Sequence, residues 1–394
     1  MLDVIFLVDG PYVSDYLKQT IYQLNIPVVK TSEAQKYLDE SKTNFISEAG
    51  ANLKLSENPN QIIYTNSENT LDWIYAHDHK GAMVGSIHKA KDKVLFRKVL
   101  EPQNPEFFYQ EVKYEEIDSL NIQEIPLPVI IKPAIGFFSL GVYSIQKSNE
   151  WKDIITQIHE TSRDISRLYP ESVLDNTRFI IEELIEGEEF AVDCYYDHNG
   201  NAVVLNMMKH LFATETDMND RVYITSTEIL SQYLVPIQNH LTTIGKLLGY
   251  HDFPAHIELR IKATGEINTI EINPLRFGGW CSTPDLAQHT WGINIYELLF
   301  KGLKPDWSKI ISQRGGKVYA LVVLNNSTGV SGSQIKSFNY DQLLRKIDTP
   351  FELRQTDFGQ FPVFGFLMCA VPEDDLSVLY ELLHSDLSEY IKLK

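Results

Sequence analysis

Hydrophobic and polar positions in the first part of the chain alternate in blocks that predict strands separated by helices. Residues 4–8 form an unbroken apolar run, which is typical of a strand buried inside a parallel sheet. Residues 13–24 then follow a helical pattern, and residues 61–65 and 71–76 repeat the order of strand and helix. This alternation predicts an open α/β domain over residues 1–90.

Three further segments are predicted after this domain. A basic helix over residues 89–100 stops at Pro102, because proline cannot continue a helix, and strands and a helix then form a small α/β unit over residues 91–187. Residues 188–315 carry two hairpin patterns, with turns at Asn199-Gly200 and Thr264-Gly265, and a helix predicted from Pro236 to Leu248. Residues 316–394 open with an apolar strand and are predicted to form a small separate α/β cap.

Composition and charge limit the classes of function. The 394 residues are 43% apolar and 22% charged, which fits two or three domains of about 150 residues each. With 35 basic and 53 acidic residues the net charge is −18, which disfavours nucleic acid and anionic membrane surfaces as partners. No stretch approaches the roughly 20 uncharged residues of a membrane span, and the apolar run near the N-terminus is too short for a signal peptide. Three widely spaced cysteines indicate no disulfide framework, so a reduced, cytoplasmic protein is expected.

The second hairpin carries the most informative polar side chains. Strand side chains alternate with a period of two, so Glu271 and Asn273 share one face, and a turn near Gly265 brings Glu258 opposite them. Two carboxylates and an amide oxygen suit Mg²⁺ when phosphates complete its shell. A solvated acidic hairpin is the alternative. Alternating apolar residues, which imply one buried face, favour the metal site: Ile257, Leu259, Ile270 and Ile272.

Other segments offer groups for a nucleotide. Lys132 ends a predicted strand and precedes a loop with Ser139 and Gly141, whose ammonium and N–H groups could contact phosphates, although a strand-edge lysine is an equal alternative. Residues 182–189 form an acidic stretch interrupted by glycine, which indicates a linker between two lobes. Lys209, at a strand end, is a further phosphate candidate, whereas His210 is interpreted as a solvated loop residue.

In this order and spacing, these elements resemble the ATP-grasp superfamily over about residues 90–300. The resemblance implies an ATP-grasp fold with an N-terminal α/β domain and a C-terminal cap. Lys93 and Lys132 match the lysines that hold the nucleotide phosphates. Further matches are Glu182 toward the adenine amino group, Glu183 and Ile185 in the hinge backbone, Glu189 toward the ribose, and Glu258, Glu271 and Asn273 at the metal.

Within that superfamily, the pattern His256-x-Glu258-x-Arg260 resembles the carboxylate–amine ligases that join amino acids into dipeptides. Those ligases more often carry an arginine two residues after the metal-binding asparagine. Here Leu275 stands at that position and Arg276 follows. Arg276 is therefore the first candidate for a catalytic arginine, and Arg260 competes with it.

The resemblance implies an ADP-forming ligase that uses ATP and Mg²⁺, with Mn²⁺ as an alternative ion, and that activates a small carboxylate as an acyl phosphate for attack by an amine. Amino acids are the expected substrates, and a homodimer is usual for the family. Three alternatives stay open: an ATP-grasp carboxylase or purine-pathway ligase, which the turn at residues 9–12 disfavours because it lacks a glycine-rich loop; a non-catalytic nucleotide-binding protein; and a zinc hydrolase using His77 and His79.

Overall fold

The computed structural model describes residues 4–58, 61–77, 82–136, 141–165, 175–214, 217 and 219–394. Four sheets organise these residues: a parallel N-terminal sheet, an antiparallel central sheet, an eight-stranded large sheet and a two-stranded ribbon near the C-terminus. No helix in the described part of the chain has the length and apolarity that crossing a bilayer requires. All three cysteines are buried and free.

The N-terminal sheet has four parallel strands in the order β3-β2-β1-β4. The inner strand β1 and the edge strand β4 beside it are buried along their whole length, which explains their apolar runs. The elements are β1 (Val4–Leu7), α1 (Asp15–Leu24), β2 (Pro27–Val29), α2 (Ser32–Tyr37), β3 (Asn44–Ile46), α3 (Glu48–Glu57), β4 (Ile62–Thr65) and α4 (Leu71–His77). The open α/β prediction is confirmed.

Two helices, α5 (Ala82–Lys91) and α6 (Lys93–Leu100), stand where the sequence predicts a single basic helix over residues 89–100. Asp92 separates them, because its extended backbone ends one helix and its carboxylate accepts the N–H groups of Val94 and Leu95 at the start of the next. Lys93 thereby becomes the first residue of α6.

The central sheet is antiparallel, in the order β5-β8-β6-β7, with α7 packed against it. Its elements are β5 (Tyr109–Lys113), β6 (Val129–Ile135), β7 (Tyr143–Ile145), α7 (Trp151–Ile165) and β8 (Asp175–Glu183). Its core contains Val112, Ile131, Trp151, Ile158, Phe179 and Ile181. Both strands that enter the site, β6 and β8, lie in the middle of this sheet.

The large sheet runs β13-β12-β9-β10-β11-β14-β17-β16. Both predicted hairpins are present, as β9 with β10 and β12 with β13. The elements of its first part are β9 (Glu188–Tyr196), β10 (Ala202–Leu211), β11 (Val222–Thr225), α8 (Thr227–Leu248), β12 (Phe253–Ile261), β13 (Ile267–Pro274), α9 (Ser282–Trp291), α10 (Ile295–Lys301) and α11 (Trp307–Ser312). The helix predicted from Pro236 begins nine residues earlier, because Ser226 caps it and Pro236 is accommodated inside.

The C-terminal segment is less separate than the sequence predicts. Its strand β14 pairs with β11, so the large sheet continues into this segment, although the segment also buries its own apolar cluster. Its elements are β14 (Lys317–Asn325), β15 (Ile335–Phe338), α12 (Tyr340–Leu344), β16 (Thr349–Gln355), β17 (Val363–Pro372), α13 (Ser377–His384) and β18 (Ile391–Leu393). Edge pairing between strands leaves no signal in the hydrophobic pattern of either strand.

The linker between the central and large sheets depends on Gly187. Its φ is +115°, and a Cβ built there would lie 2.2 Å from the Ile261 carbonyl oxygen. We expect Gly187→Ala to destabilise the protein by more than about 3 kcal/mol, since strain in a rare backbone region costs about 1–3 kcal/mol before any clash. The matched control is Gly265→Ala, which has φ +87° but open space around the Cβ. Thermal denaturation should separate the two variants, and equal losses would contradict the prediction.

Candidate functional site

Lys93 joins three parts of the structure at the predicted phosphate and metal site. Its Nζ lies 3.3 Å from Glu271 Oε2 on β13 and donates to the Gly136 carbonyl oxygen, 3.4 Å away, just after β6. The Lys93 side chain is 9% exposed, so burial lowers its pKa, which Glu271 opposes. A buried cation at a helix start thus lies between the central sheet and the acidic hairpin.

The two predicted metal-binding glutamates face each other across the hairpin. Glu258 pairs directly with Glu271, and His256 pairs with Asn273, so all four side chains share one face. Burial, and next the charge of Glu271, raise the pKa of Glu258 well above its ordinary value. Burial alone would raise the pKa of Glu271 too, but the Lys93 and Lys91 charges outweigh it and lower that pKa. A bulge opposite Leu259 takes Ile270 out of alternation and leaves it only half-buried, contrary to the prediction of a buried position.

This donor set fits a hard divalent cation whose remaining ligands come from elsewhere. Glu258, Glu271 and Asn273 supply only oxygen atoms, which Mg²⁺ prefers, and a cation would relieve the repulsion between the two carboxylates. Among the described residues no group of three or more His, Cys, Asp or Glu side chains could hold a metal by itself. The ligands are therefore too few for a protein-only metal site and suit an ion that arrives with phosphate oxygens.

Glu182 is held by two cations. Its Oε1 lies 2.6 Å from Lys132 Nζ, its Oε2 accepts Arg97 Nε at 2.6 Å, and Arg97 also donates to the Thr269 carbonyl oxygen. Burial would raise the pKa of Glu182, but the Arg97 and Lys132 charges lower it to about 2. Arg97 was missed from the sequence, although its position four residues after Lys93 on one helix face was a usable signal.

The hinge follows Glu182. The Glu183 carboxylate accepts the Phe108 N–H, and the Ile185 carbonyl oxygen accepts Arg260 Nη1 at 2.6 Å.

Gly141 has φ +72° and packs against Pro133, whereas Ser139 lies outside the described residues.

Arg260 lies at the hinge end of the cleft with Glu189. Arg260 Nε donates to Glu189 Oε2 at 2.9 Å, and His210 Nδ1 lies 3.0 Å from Glu189 Oε1. His210 is 3% exposed and stacks on Tyr223, so its interpretation as a solvated loop residue is wrong. It lies within β10, where pairing with neighbouring strands buries it.

Lys209 is not brought together with these groups. It is the cross-strand partner of Phe190, so its side chain leaves the opposite face of the large sheet from His210. There it pairs with Glu188, whose carboxylate also accepts Tyr233 from α8. The alternation of side chains along β10 therefore places Lys209 on the face of the sheet opposite to the predicted phosphate site.

Arg276 extends toward the N-terminal unit. Its Nε donates to Glu68 Oε1 at 2.9 Å, and Lys91 Nζ lies 2.7 Å from the other oxygen of Glu68. The preceding residue, Leu275, adopts a left-handed φ of +62°, and this turn accommodates the extra residue between Asn273 and Arg276. Glu68 could not have been found from sequence, because it lies 208 positions from its arginine.

The histidine pair of the zinc alternative is only partly described. His77 stacks on Trp73 and its Nδ1 contacts the Trp73 carbonyl oxygen, whereas His79 lies outside the described residues.

The pKa of Glu182 predicts how stability depends on pH. A folded pKa of about 2, below the ordinary 4.5, means that its stabilisation is present above about pH 4.5 and is lost as the pH falls toward 2. At pH 7, Glu182→Gln should cost about 3 kcal/mol by leaving Arg97 and Lys132 without a buried counter-charge. Thermal denaturation should show that the difference in stability between Glu182→Gln and the parent narrows as the pH is lowered. Exposed Glu106→Gln is the control, and a gap independent of pH would contradict the prediction.

Comparison with known proteins agrees with this geometry. Residues 125–284 match the family described as ATP-grasp domain. An alanine–anticapsin ligase of Bacillus amyloliquefaciens is 22% identical over 237 residues, covering 56% of this chain and 48% of the relative. An L-arginine-specific L-amino acid ligase of Bacillus subtilis is 26% identical over 160 residues, covering 40% of this chain and 36% of the relative. The chain thus matches about half the length, or less, of these curated relatives.

The solved L-amino acid ligase of Bacillus licheniformis superposes with a TM-score of 0.68 at 16% identity, covering 100% of this chain and 98% of that chain. At this identity the likeness concerns the fold. Residues 125–284 therefore form an ATP-grasp domain, and the chain has the ATP-grasp fold that the sequence resemblance predicted.

Proposed function

We propose that the protein is an ATP-dependent, ADP-forming ligase that joins a small carboxylate to an amine, both drawn from amino acids, through an acyl phosphate. The observation that carries the proposal is the facing pair Glu258 and Glu271, with Asn273 beside them and Lys93 Nζ 3.3 Å from Glu271. This arrangement offers divalent-cation ligands and a phosphate-binding ammonium within one cleft. The relatives' names as amino acid ligases support the substrate class.

Glu258, Glu271 and Asn273 would hold Mg²⁺, or Mn²⁺ in its place, together with phosphate oxygens of ATP. When bound, the cation would neutralise part of the phosphate charge. Without it, this charge would repel an incoming carboxylate. The high pKa of Glu258, caused by burial and by Glu271, supports this role, because a cation between the two carboxylates would stabilise their ionised forms against both effects.

The remaining contacts divide ATP between the two ends of the cleft. Lys93 on α6 and Lys132 on β6 would contact phosphate oxygens, as would the backbone of Gly141, which lies between β6 and β7. At the hinge, Glu182 and the backbone of Glu183 and Ile185 would meet the adenine edge, and Glu189 the ribose hydroxyls. Lys132 and Glu182 already form a 2.6 Å ion pair, so nucleotide binding would be shared between two groups that orient each other.

The reaction has two steps. A substrate carboxylate oxygen attacks the γ-phosphorus, and the bond from this phosphorus to the β-phosphate oxygen breaks. ADP departs, and an acyl phosphate remains. The amine nitrogen then attacks the acyl carbon, the C–O bond to phosphate breaks, and the amine loses a proton to give the amide. The Arg276 guanidinium would stabilise the oxyanion of this second step. Arg260 is the less suitable candidate, because it is committed to Glu189 and Ile185 at the nucleoside end.

The proposal includes a cytoplasmic setting, which the three buried free thiols support. A homodimer stays a prediction.

The function is tested by incubating the protein with ATP, Mg²⁺ and single or paired amino acids. ADP and phosphate release that needs two amino acids, with a dipeptide detected by mass spectrometry, is the expected result. ¹⁸O placed in the substrate carboxylate should appear in the released phosphate, and its absence would overturn the acyl phosphate. Turnover that depends on bicarbonate would favour the carboxylase alternative, and nucleotide binding without any turnover would favour a non-catalytic protein.

Glu271→Gln tests the metal assignment. Loss of one carboxylate ligand should lower turnover by about 100-fold or more, since several kcal/mol of charge neutralisation disappear and each 1.4 kcal/mol is tenfold. Glu266→Gln, an exposed change on the same hairpin, is the matched control. Parent-like turnover of Glu271→Gln over a Mg²⁺ titration would refute the assignment.

Substitutions of the two arginines should affect different steps, one the catalytic rate and the other ATP binding. Arg276→Met is expected to lower kcat by about 100-fold with little change in ATP binding, as removal of an oxyanion donor does. Arg260→Met should weaken ATP binding about tenfold, because it releases Glu189 and the hinge carbonyl group. Steady-state kinetics and calorimetry separate these effects, and a reversed pattern would assign the catalytic role to Arg260.

A further inference from the structure

Glu68 connects the N-terminal unit to the acidic hairpin, and the proposed mechanism gives it no role. It follows β4 and bridges two cations from different parts of the chain. Its Oε1 lies 2.9 Å from Arg276 Nε and 2.8 Å from Arg276 Nη2, and its Oε2 lies 2.7 Å from Lys91 Nζ. The side chains of Glu68 and Lys91 are 21% and 8% exposed, so neither is an ordinary surface charge.

Backbone contacts hold this bridge in register. The Thr65 N–H, at the end of β4, donates to the Leu275 carbonyl oxygen at 2.8 Å, and the Leu275 N–H donates to Pro254 at 2.8 Å. The turn before Arg276 is therefore docked on the N-terminal sheet. Arg276 Nη1 also donates to the Phe277 carbonyl oxygen, so the guanidinium is held from two sides.

The charges of the bridge reach the metal-binding carboxylates. Burial would raise the pKa of Glu68, but Lys91 and Arg276 lower it to about 2, so Glu68 is ionised at neutral pH. Lys91 lies two residues before Lys93, whose Nζ is 3.3 Å from Glu271 Oε2, and Arg276 follows β13, the strand that carries Glu271. Glu68 thus holds two cations within electrostatic range of both carboxylates.

We infer that Glu68 is a positioning residue that holds Arg276 and Lys91 beside the acidic hairpin, so that the guanidinium is in place for the oxyanion of the second step. This inference rests on the proposed ligation, and it adds an N-terminal residue to the reacting end of the cleft. The consequence is specific to the second step. A misplaced guanidinium would leave nucleotide binding and acyl phosphate formation intact, but it would stabilise the oxyanion less well.

The test compares Glu68→Gln, which keeps the shape but loses the charge, with Glu68→Asp, which keeps the charge. Acyl phosphate formation is measured with the acid substrate alone, through the exchange of ¹⁸O between the bridging and non-bridging positions of ATP. Dipeptide formation measures both steps. Glu68→Gln should lower kcat for the dipeptide about 10- to 100-fold, as small misplacement of a catalytic group does. Its isotope exchange and its affinity for Mg²⁺–ATP should change much less than kcat, because Lys93 still contacts Glu271, and Glu68→Asp should recover part of kcat.

Glu33→Gln, an exposed change in the same N-terminal unit, is the control for charge removal alone. A parent-like dipeptide rate in Glu68→Gln would overturn the inference. Equal losses of nucleotide affinity, isotope exchange and dipeptide formation would also overturn it, because they indicate a purely structural role.

If the parent protein shows neither isotope exchange nor dipeptide formation with any amino acid, the proposed function fails separately. The contact between Glu68 and Arg276 is then tested by thermal denaturation of Glu68→Gln, Arg276→Met and the double variant. Tm shifts smaller in the double variant than the sum of the single shifts would support the holding of Arg276 by Glu68, and additive shifts would refute it.

Discussion

Two half-buried carboxylates that face each other, Glu258 and Glu271, are the constraint on which the rest of the site depends. Such a pair is unfavourable alone, since burial and mutual repulsion both oppose ionisation. Cations from three separate elements surround it: Lys93 from α6, Lys91 from α5 and Arg276 from the turn after β13. A divalent cation would offset the repulsion between the two carboxylates, and its phosphate ligands would meet the surrounding basic side chains.

The same alternation of charge continues to the hinge. Glu182 lies between Lys132 and Arg97, and Glu189 lies between His210 and Arg260. Each carboxylate that the family resemblance assigns to the nucleoside is thus already oriented by basic side chains. Preorganised polar groups of this kind lower the cost of ordering side chains when a ligand binds. The contacts of Arg260 with Glu189 and Ile185, and of Arg276 with Glu68, are the reason for proposing Arg260 at the nucleoside end and Arg276 at the reacting end.

Prediction from sequence succeeded where a local period carries the information. The period of two in β12 and β13 placed Glu258, Glu271 and Asn273 on one face, and the buried apolar runs identified the parallel N-terminal sheet. It failed where one residue breaks the period. Asp92 ended one helix and made Lys93 the first residue of the next, and the bulge left Ile270 outside the strand pairing and only half-buried. For Lys209 and His210, the sequence showed neighbours, but strand pairing decided which faces the cleft.

The sequence by itself determined the order of the lysines, the candidate hinge acids and the candidate metal-binding residues, because each lies within a short segment with a recognisable spacing. Only the tertiary structure decided the partners of those residues. Glu68 reaches Arg276 across 208 positions, Arg97 reaches Glu182 across 85, and β11 joins β14 to extend the large sheet. Such contacts arise when separate units dock and bury opposite charges together, and no pattern within either segment records which distant charge will arrive.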